Sequence, residues 1–260
     1  MSDLLQAALL GLVEGITEFL PISSTGHLLI AEHWLGARSE LFNVGIQAGA
    51  IFAAVLIFWP RLTRLATGLH DAAQRDYLAK LVLAFGITAL GGLLAKKLGV
   101  ALPESIVPVA GALILGGVAI LIIEWFLDGR PIRTQVTWSV AAWVGGCQIL
   151  AAVFPGTSRS AATIFAAMLA GLTSRAAATE FAFLVGIPTM FAATGYEFLK
   201  TRHVSTAGED WLAFTVAAAI SGVVAFVAVK WLLRYIQTHR FTWFAWYRIA
   251  VGIVLLALVR

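Results

Sequence analysis

Charge is scarce in this chain: Asp, Glu, Lys and Arg together make up 12% of its 260 residues, against about a quarter in an ordinary soluble domain. With 60% of the residues hydrophobic and a mean hydropathy of +0.89, a water-soluble globular enzyme is excluded and most of the surface is expected to face lipid. Cysteine is nearly absent. The single Cys147 excludes an intrachain disulfide framework and any cysteine-based zinc or iron–sulfur site, so a bound metal would have oxygen or imidazole ligands. Long hydrophilic stretches are missing as well. The longest, around Arg61 to Asp76, is too short to fold alone, so residues 1–260 are expected to form one integral membrane domain. The net charge of +4 is spread between apolar runs rather than clustered. It reads as a topology signal beside anionic lipid, with no nucleic-acid partner expected.

What the chain has in abundance is apolar runs long enough to cross a hydrocarbon core of about 30 Å. The clearest are Phe42 to Trp59, Tyr77 to Ala95, Ser105 to Ile123, Phe181 to Leu199, Trp211 to Val229 and Trp243 to Val259, which predict about six crossings. Trp or Tyr marks many ends at headgroup depth. Two further apolar regions, Leu4 to Leu35 and Val136 to Leu172, are interrupted by Pro21-Ile-Ser-Ser-Thr-Gly26 and Pro155-Gly-Thr-Ser-Arg-Ser160, where a helix is expected to break. Exposed backbone at membrane depth is tolerated only inside protein or beside water. Both regions therefore predict re-entrant helical hairpins.

The two interrupted regions resemble each other. Aligning Pro21 with Pro155 sets Glu14 opposite Gln148, Ser23 opposite Thr157 and Ser24 opposite Ser158. Three expected spans lie between them, an odd number, which turns the second copy upside down. The predicted fold is an all-α polytopic membrane protein built as an inverted-topology repeat, residues 1 to about 127 and about 128 to 260. Putting the segment after the first span in the cytoplasm collects Arg61, Arg64, Arg75, Lys80, Arg130, Arg133, Arg175, Lys230, Arg234 and Arg240 there. Arg38, Lys96, Lys97, Lys200, Arg202 and Arg260 fall on the other side, which leaves both termini extracytoplasmic.

Charge within apolar segments is costly and marks candidate chemistry at Glu14, Glu18 and Arg159. Four residues apart on a helix, the two carboxyls stack on one face, where like charges repel unless a divalent cation, a shared proton or an arginine compensates them. A solvated pair near the interface is the bland alternative. After Pro21, the residues Ser23, Ser24, Thr25, Gly26 and His27 offer donors to an anion and a hydroxyl that carboxylate or imidazole could activate, or else simply cap a helix. In the second region Gly156, Thr157, Ser158, Arg159, Ser160 and Thr163 form a set suited to phosphate oxygens, with Gln148 alongside by its repeat position. Arg159 could equally pair with Glu14 or Glu18. Elsewhere the polar residues read as ordinary: His33, His70, His203, His239, Glu104 and Asp128 are expected to meet water.

Glu14-Gly-Ile-Thr-Glu18-Phe-Leu-Pro-Ile-Ser-Ser-Thr-Gly-His27, with Pro155-Gly-Thr-Ser-Arg-Ser160 and Thr163, resembles the bacterial undecaprenyl pyrophosphate phosphatases of the bacitracin-resistance type. The resemblance covers essentially the whole chain. It implies a multi-pass enzyme of the bacterial plasma (inner) membrane that removes the terminal phosphate of undecaprenyl pyrophosphate, recycling the lipid carrier for peptidoglycan. It also implies a divalent cation, magnesium or calcium, at Glu14 and Glu18, and an active site toward the extracytoplasmic side. By motif position, Glu14, Glu18, Ser24, His27 and Arg159 are its catalytic candidates. A homodimer is entertained as a partner state. Two departures stand out: Ala161 where the family usually has glycine, which is expected to tighten the turn or narrow the approach to phosphate, and Asn43 where an acid is common.

Phosphoryl transfer needs charge stabilisation on the phosphate and an activated nucleophile in line with the leaving group. Ser24 is the favoured nucleophile over a water activated by Glu18 or His27. The rival class is a non-hydrolytic transporter or lipid flippase using the same polar centre.

Overall fold

The computed structural model describes residues 2–100, 105–201 and 210–258. Among them are ten α-helices and no strand. In chain order they are α1 (Asp3–Thr17), α2 (Ser24–Leu35), α3 (Glu40–Thr67), α4 (Ala72–Lys97), α5 (Ile106–Phe126), α6 (Trp138–Val153), α7 (Arg159–Leu169), α8 (Arg175–Thr201), α9 (Trp211–Tyr235) and α10 (Thr242–Leu258). Glu104, Arg202, His203, Val259 and Arg260 lie outside the described residues.

Among the described residues five helices, α3, α4, α5, α8 and α9, are long and apolar enough to cross a membrane. The chain is a multi-pass membrane protein, and large apolar side chains such as Leu90 and Trp125 stay exposed at its periphery. The expected sixth crossing, α10, has 17 described residues, about 25 Å at 1.5 Å per residue. The hydrophilic connection expected around Arg61 to Asp76 is mostly helix. α3 passes through Pro60 to Thr67, and α4 begins at Ala72. Arg61 stabilises this extension by pairing with Glu180 and lying over the Tyr77 ring.

Helix directions follow from close contacts. Gly11 and Gly15 of α1 meet Ala217 and Ser221 of α9, and Gly45 and Gly49 of α3 meet Phe214 and Ala218, so α1, α3 and α9 run parallel. Gly145 and Ile149 of α6 meet Ala84 and Gly91 of α4, so α6 runs with α4. Since α3 and α4 form an antiparallel pair joined by four residues, 68–71, α1 and α6 point in opposite directions. Helix–break–helix units thus enter the bundle from opposite ends, as the odd number of intervening spans predicts. A Cβ at Gly11 would run into the Ala217 carbonyl, and one at Gly145 into that of Ala84. Both contacts need glycine for backbones to pack this closely.

The breaks span 18–23 and 154–158. Each second helix starts on a serine in a backbone conformation that only these two non-glycine residues adopt among those described: Ser23 at φ 76°, ψ 97° and Ser158 at φ 67°, ψ 110°. Their hydroxyls accept from Gly26 N and Ala161 N respectively, the same cap in both places. The structural equivalence is therefore Ser23 with Ser158 and Ser24 with Arg159, one residue off the proline-anchored alignment. The second break holds two residues, Gly156 and Thr157, between proline and cap, whereas the first holds only Ile22.

Candidate active site

The two tips meet inside the bundle. Ser160 Oγ donates to the Leu20 carbonyl at 2.9 Å, and the Arg159 guanidinium is ion-paired with Glu18. Between the tips and α3, α4, α6 and α8 lies a cavity of about 250 Å³. Its polar lining comprises Glu18, Ser23, Ser24, Thr25, Gln47, Thr88, Gln148, Ser158, Arg159 and Thr189, with Gly156 at the turn.

Glu18 brings the two tips' polar side chains together. One of its oxygens takes Arg159, and the other accepts a hydrogen bond from Ser24 Oγ at 2.5 Å. A hydroxyl donating to a carboxylate is already aligned for proton removal. Ser24 and Thr25 are in the first turn of α2 and Arg159 opens α7, so their N–H groups have no i−4 acceptor and remain available to an anion. Of the two partners entertained for Arg159, the geometry selects Glu18.

Glu14 sits one turn behind, fully buried and facing the Glu18 carboxyl; neither of its oxygens meets a protein donor. Its repeat counterpart Gln148 is also buried with an unpartnered oxygen, while its amide donates to Thr88 Oγ1 at 3.2 Å. Thr88 in turn donates to the Gly145 carbonyl at 3.0 Å, which fixes Gln148 against α4. Two carboxyls against one contacting guanidinium leave a negative charge that only a proton or a cation balances.

Other expected site residues lie around the cavity rather than on it. His27 stacks on Tyr247, and its Nδ1 donates to the Ser23 carbonyl at 2.7 Å, since a carbonyl only accepts. Its Nε2 lies 2.8 Å from Tyr247 Oη. Both ring nitrogens therefore serve the tip backbone and α10. Gly26 packs against Val109, Ser160 Oγ joins the tips, and Thr163 Oγ1 donates back to the Arg159 carbonyl. Thr157 contributes a carbonyl, described below. The Ala161 methyl is buried in the apolar core and lines no part of the cavity, so it does not narrow the phosphate's approach. Asn43 donates to Glu32 at 2.7 Å, a contact that an acid there would turn into repulsion.

Not all remaining polar residues are ordinary. Arg248 of α10 is completely buried and donates to the carbonyls of Pro21, Gly156 and Thr157 at 3.2 Å each. It also reaches those of Ala112 at 3.1 Å and Leu113 at 3.4 Å in α5. One guanidinium thereby holds both tips. Its signal was a lone charge within an apolar run, the rule that singled out Glu14. Thr88, Gln47 and Thr189 carried no such signal, because hydroxyl and amide groups are common in spans. Glu124, also buried, pairs with Arg175 and accepts from Phe241 N at 3.0 Å, which closes the bundle at the end away from the cavity.

These features form a polar site within a membrane bundle that suits an anionic group: a hydroxyl on a carboxylate, a guanidinium, and two helix starts facing one cavity. The family described as bacitracin resistance protein BacA matches residues 7–254, and the chain belongs to it. It is 60% identical over 257 residues to the undecaprenyl-diphosphatase of Rhizobium johnstonii, covering 98% of this chain and 97% of that one. It is 61% identical to the undecaprenyl-diphosphatase of Stenotrophomonas maltophilia K279a and 56% to that of Xanthomonas euvesicatoria, with the same coverage of each chain.

Proposed function

We infer that this chain is a membrane phosphatase that hydrolyses undecaprenyl diphosphate to undecaprenyl phosphate and inorganic phosphate, returning the lipid carrier to cell-wall synthesis. Family membership and the name its relatives carry support the substrate. One observation supports the chemistry: Ser24 Oγ donates to Glu18 at 2.5 Å while Arg159 holds the other oxygen of the same carboxylate.

In this reading the terminal phosphate lies against Arg159 and the free N–H groups of Ser24, Thr25 and Arg159. Glu18 takes the Ser24 proton as Oγ attacks phosphorus. The bond to the bridging oxygen breaks, and undecaprenyl phosphate leaves with that proton. Water then attacks the phosphoserine, its proton passes through Glu18 to the departing Ser24 oxygen, and phosphate is released. The unpartnered Glu14 oxygens beside Glu18 fit a divalent cation of the magnesium or calcium class. Glu14 and Glu18 would hold it. No cluster of three or more His, Cys, Asp or Glu occurs among the described residues, so these two carboxyls are the acidic ligands the chain would offer it. When bound it neutralises charge on the phosphate oxygens.

We assign the chain to the bacterial inner membrane, with residues 1–127 and 128–260 as inverted halves and the two hairpins re-entrant. The cavity belongs toward the extracytoplasmic face: Gln47, Thr88, Thr189 and Ala193 all lie nearer the ends of α3, α4 and α8 where Glu40, Lys97 and Lys200 sit. That is the side with fewer Lys and Arg.

Phosphate release from undecaprenyl diphosphate by purified protein in detergent tests the function. Ser24→Ala is expected to lower turnover by about 10³-fold or more, and acid quench of the wild type to trap phosphoserine. Near-normal turnover in Ser24→Ala assigns the attack to water. Lipid translocation without phosphate release overturns the phosphatase in favour of a transporter. Glu14→Gln is expected to raise the cation concentration for half activity by about tenfold.

A further inference from the structure

We propose that an apolar groove formed by α3, α8 and α9 seats the polyprenyl chain of the substrate while its diphosphate occupies the polar cavity. The proposal rests on the phosphatase reading. A cavity of about 250 Å³ suits a diphosphate but not a chain of eleven isoprene units, so the chain must leave it along an apolar path. Two walls of the cavity, Gln47 of α3 and Ala193 of α8, are each followed by the next residue of the same helix, Ala48 and Thr194, which line a groove of about 820 Å³. The polar cavity and the groove therefore share the α3–α8 seam.

The groove runs along α3 from Leu41 to Leu56 and along α9 from Phe214 to Val227, roughly 20 Å at 1.5 Å per residue. Its lining is apolar except for Thr194 and Thr215, and Thr194 Oγ1 is buried without a partner. An ordinary membrane lipid has no anchor at the seam. A polyprenyl chain tethered by a diphosphate does, so the adjacency of cavity and groove along α3 and α8 favours the substrate as occupant. Burial of apolar surface along the groove adds binding that a short prenyl chain cannot gain.

Ala219 and Val223 of α9 line the groove and are exposed at the surface of the bundle, so larger side chains there fill the groove without entering the core. Purified Ala219→Phe and Val223→Phe are compared with wild type on undecaprenyl diphosphate and on farnesyl diphosphate. The expected result is a fall of about tenfold in the ratio of kcat/KM for the long substrate to that for the short one, carried by KM. A polyprenyl diphosphate bearing a photoreactive group near its free end should label the segment 214–227, and unlabelled undecaprenyl diphosphate should suppress the labelling. An unchanged ratio in both variants overturns the proposal and leaves the groove to bulk lipid. An unchanged ratio with altered oligomeric mass overturns it in favour of an interface between copies. Absence of phosphate release from either substrate by the wild type removes the phosphatase reading itself, a failure distinct from loss of chain-length discrimination.

Discussion

The two hairpin tips share a backbone but differ in the polar side chains they carry. Each ends its break on a serine with positive φ whose hydroxyl caps the next helix, and each gives carbonyls to Arg248. The residue after the cap differs: Ser24, the hydroxyl on Glu18, in the first tip and Arg159, the guanidinium on the same Glu18, in the second. Glu14 stands one turn before the first break, and Glu18 opens it. Their counterparts in the second are Gln148 and Ala152. The repeated backbone supplies two helix starts facing one cavity, and differences at a few side chains give one tip the acids and a hydroxyl and the other the guanidinium, which under the proposed mechanism are nucleophile and anion clamp. Neither tip is a site alone, because Glu18 is buried in a place where its charge needs Arg159.

Removing the proposed clamp while keeping the proposed nucleophile breaks this division most severely. Arg159→Ala is expected to lower phosphate release by about 10³-fold or more, and Arg159→Ala with Ser24→Ala to be hardly worse than either single change, since both act on one transition state. Additive losses in steady-state kinetics would mean that the tips work independently. Arg248→Met tests what the tips have in common. It leaves the carbonyls of Pro21, Gly156 and Thr157 without a donor, with an expected loss of about 3 kcal/mol of stability by denaturant titration in detergent. Both tips should then become accessible to proteolysis or hydrogen exchange together. Loosening of only one would show that Arg248 supports a single hairpin. The smallest effect is expected at the caps. Ser23→Gly and Ser158→Gly each relieve a positive-φ strain worth about 1 kcal/mol but lose a cap worth a few tenths, so both variants should stay within about 1 kcal/mol of wild type. A large loss in one and not the other would show that the tips are equivalent in backbone but not in load.

Much of this was legible beforehand because burial of charge in lipid is so costly that its exceptions stand out. Glu14, Glu18 and Arg159 were identified on that ground, and the proline-hydroxyl clusters located both breaks. The one-residue offset between the tips was not legible, since it depends on how many residues the turn consumes before the chain can re-enter a helix. Nor was the placement of His27, which looked like a candidate base from its spacing but has both nitrogens engaged with Ser23 and Tyr247. Arg248 was in principle visible by the rule used for Glu14. Its five carbonyl partners come from α5 and both tips, and no local pattern announces them.

Hydropathy and charge in the linear chain determined that this is a membrane bundle with two broken helices of opposite sense, because a bilayer permits few arrangements of apolar segments and unpaired backbone. Only tertiary structure decided which acid meets the arginine, which hydroxyl meets the acid, and which carbonyls meet Arg248. These depend on side chains more than a hundred residues apart meeting within hydrogen-bond distance, and that distance is set by helix crossings rather than by spacing along the chain.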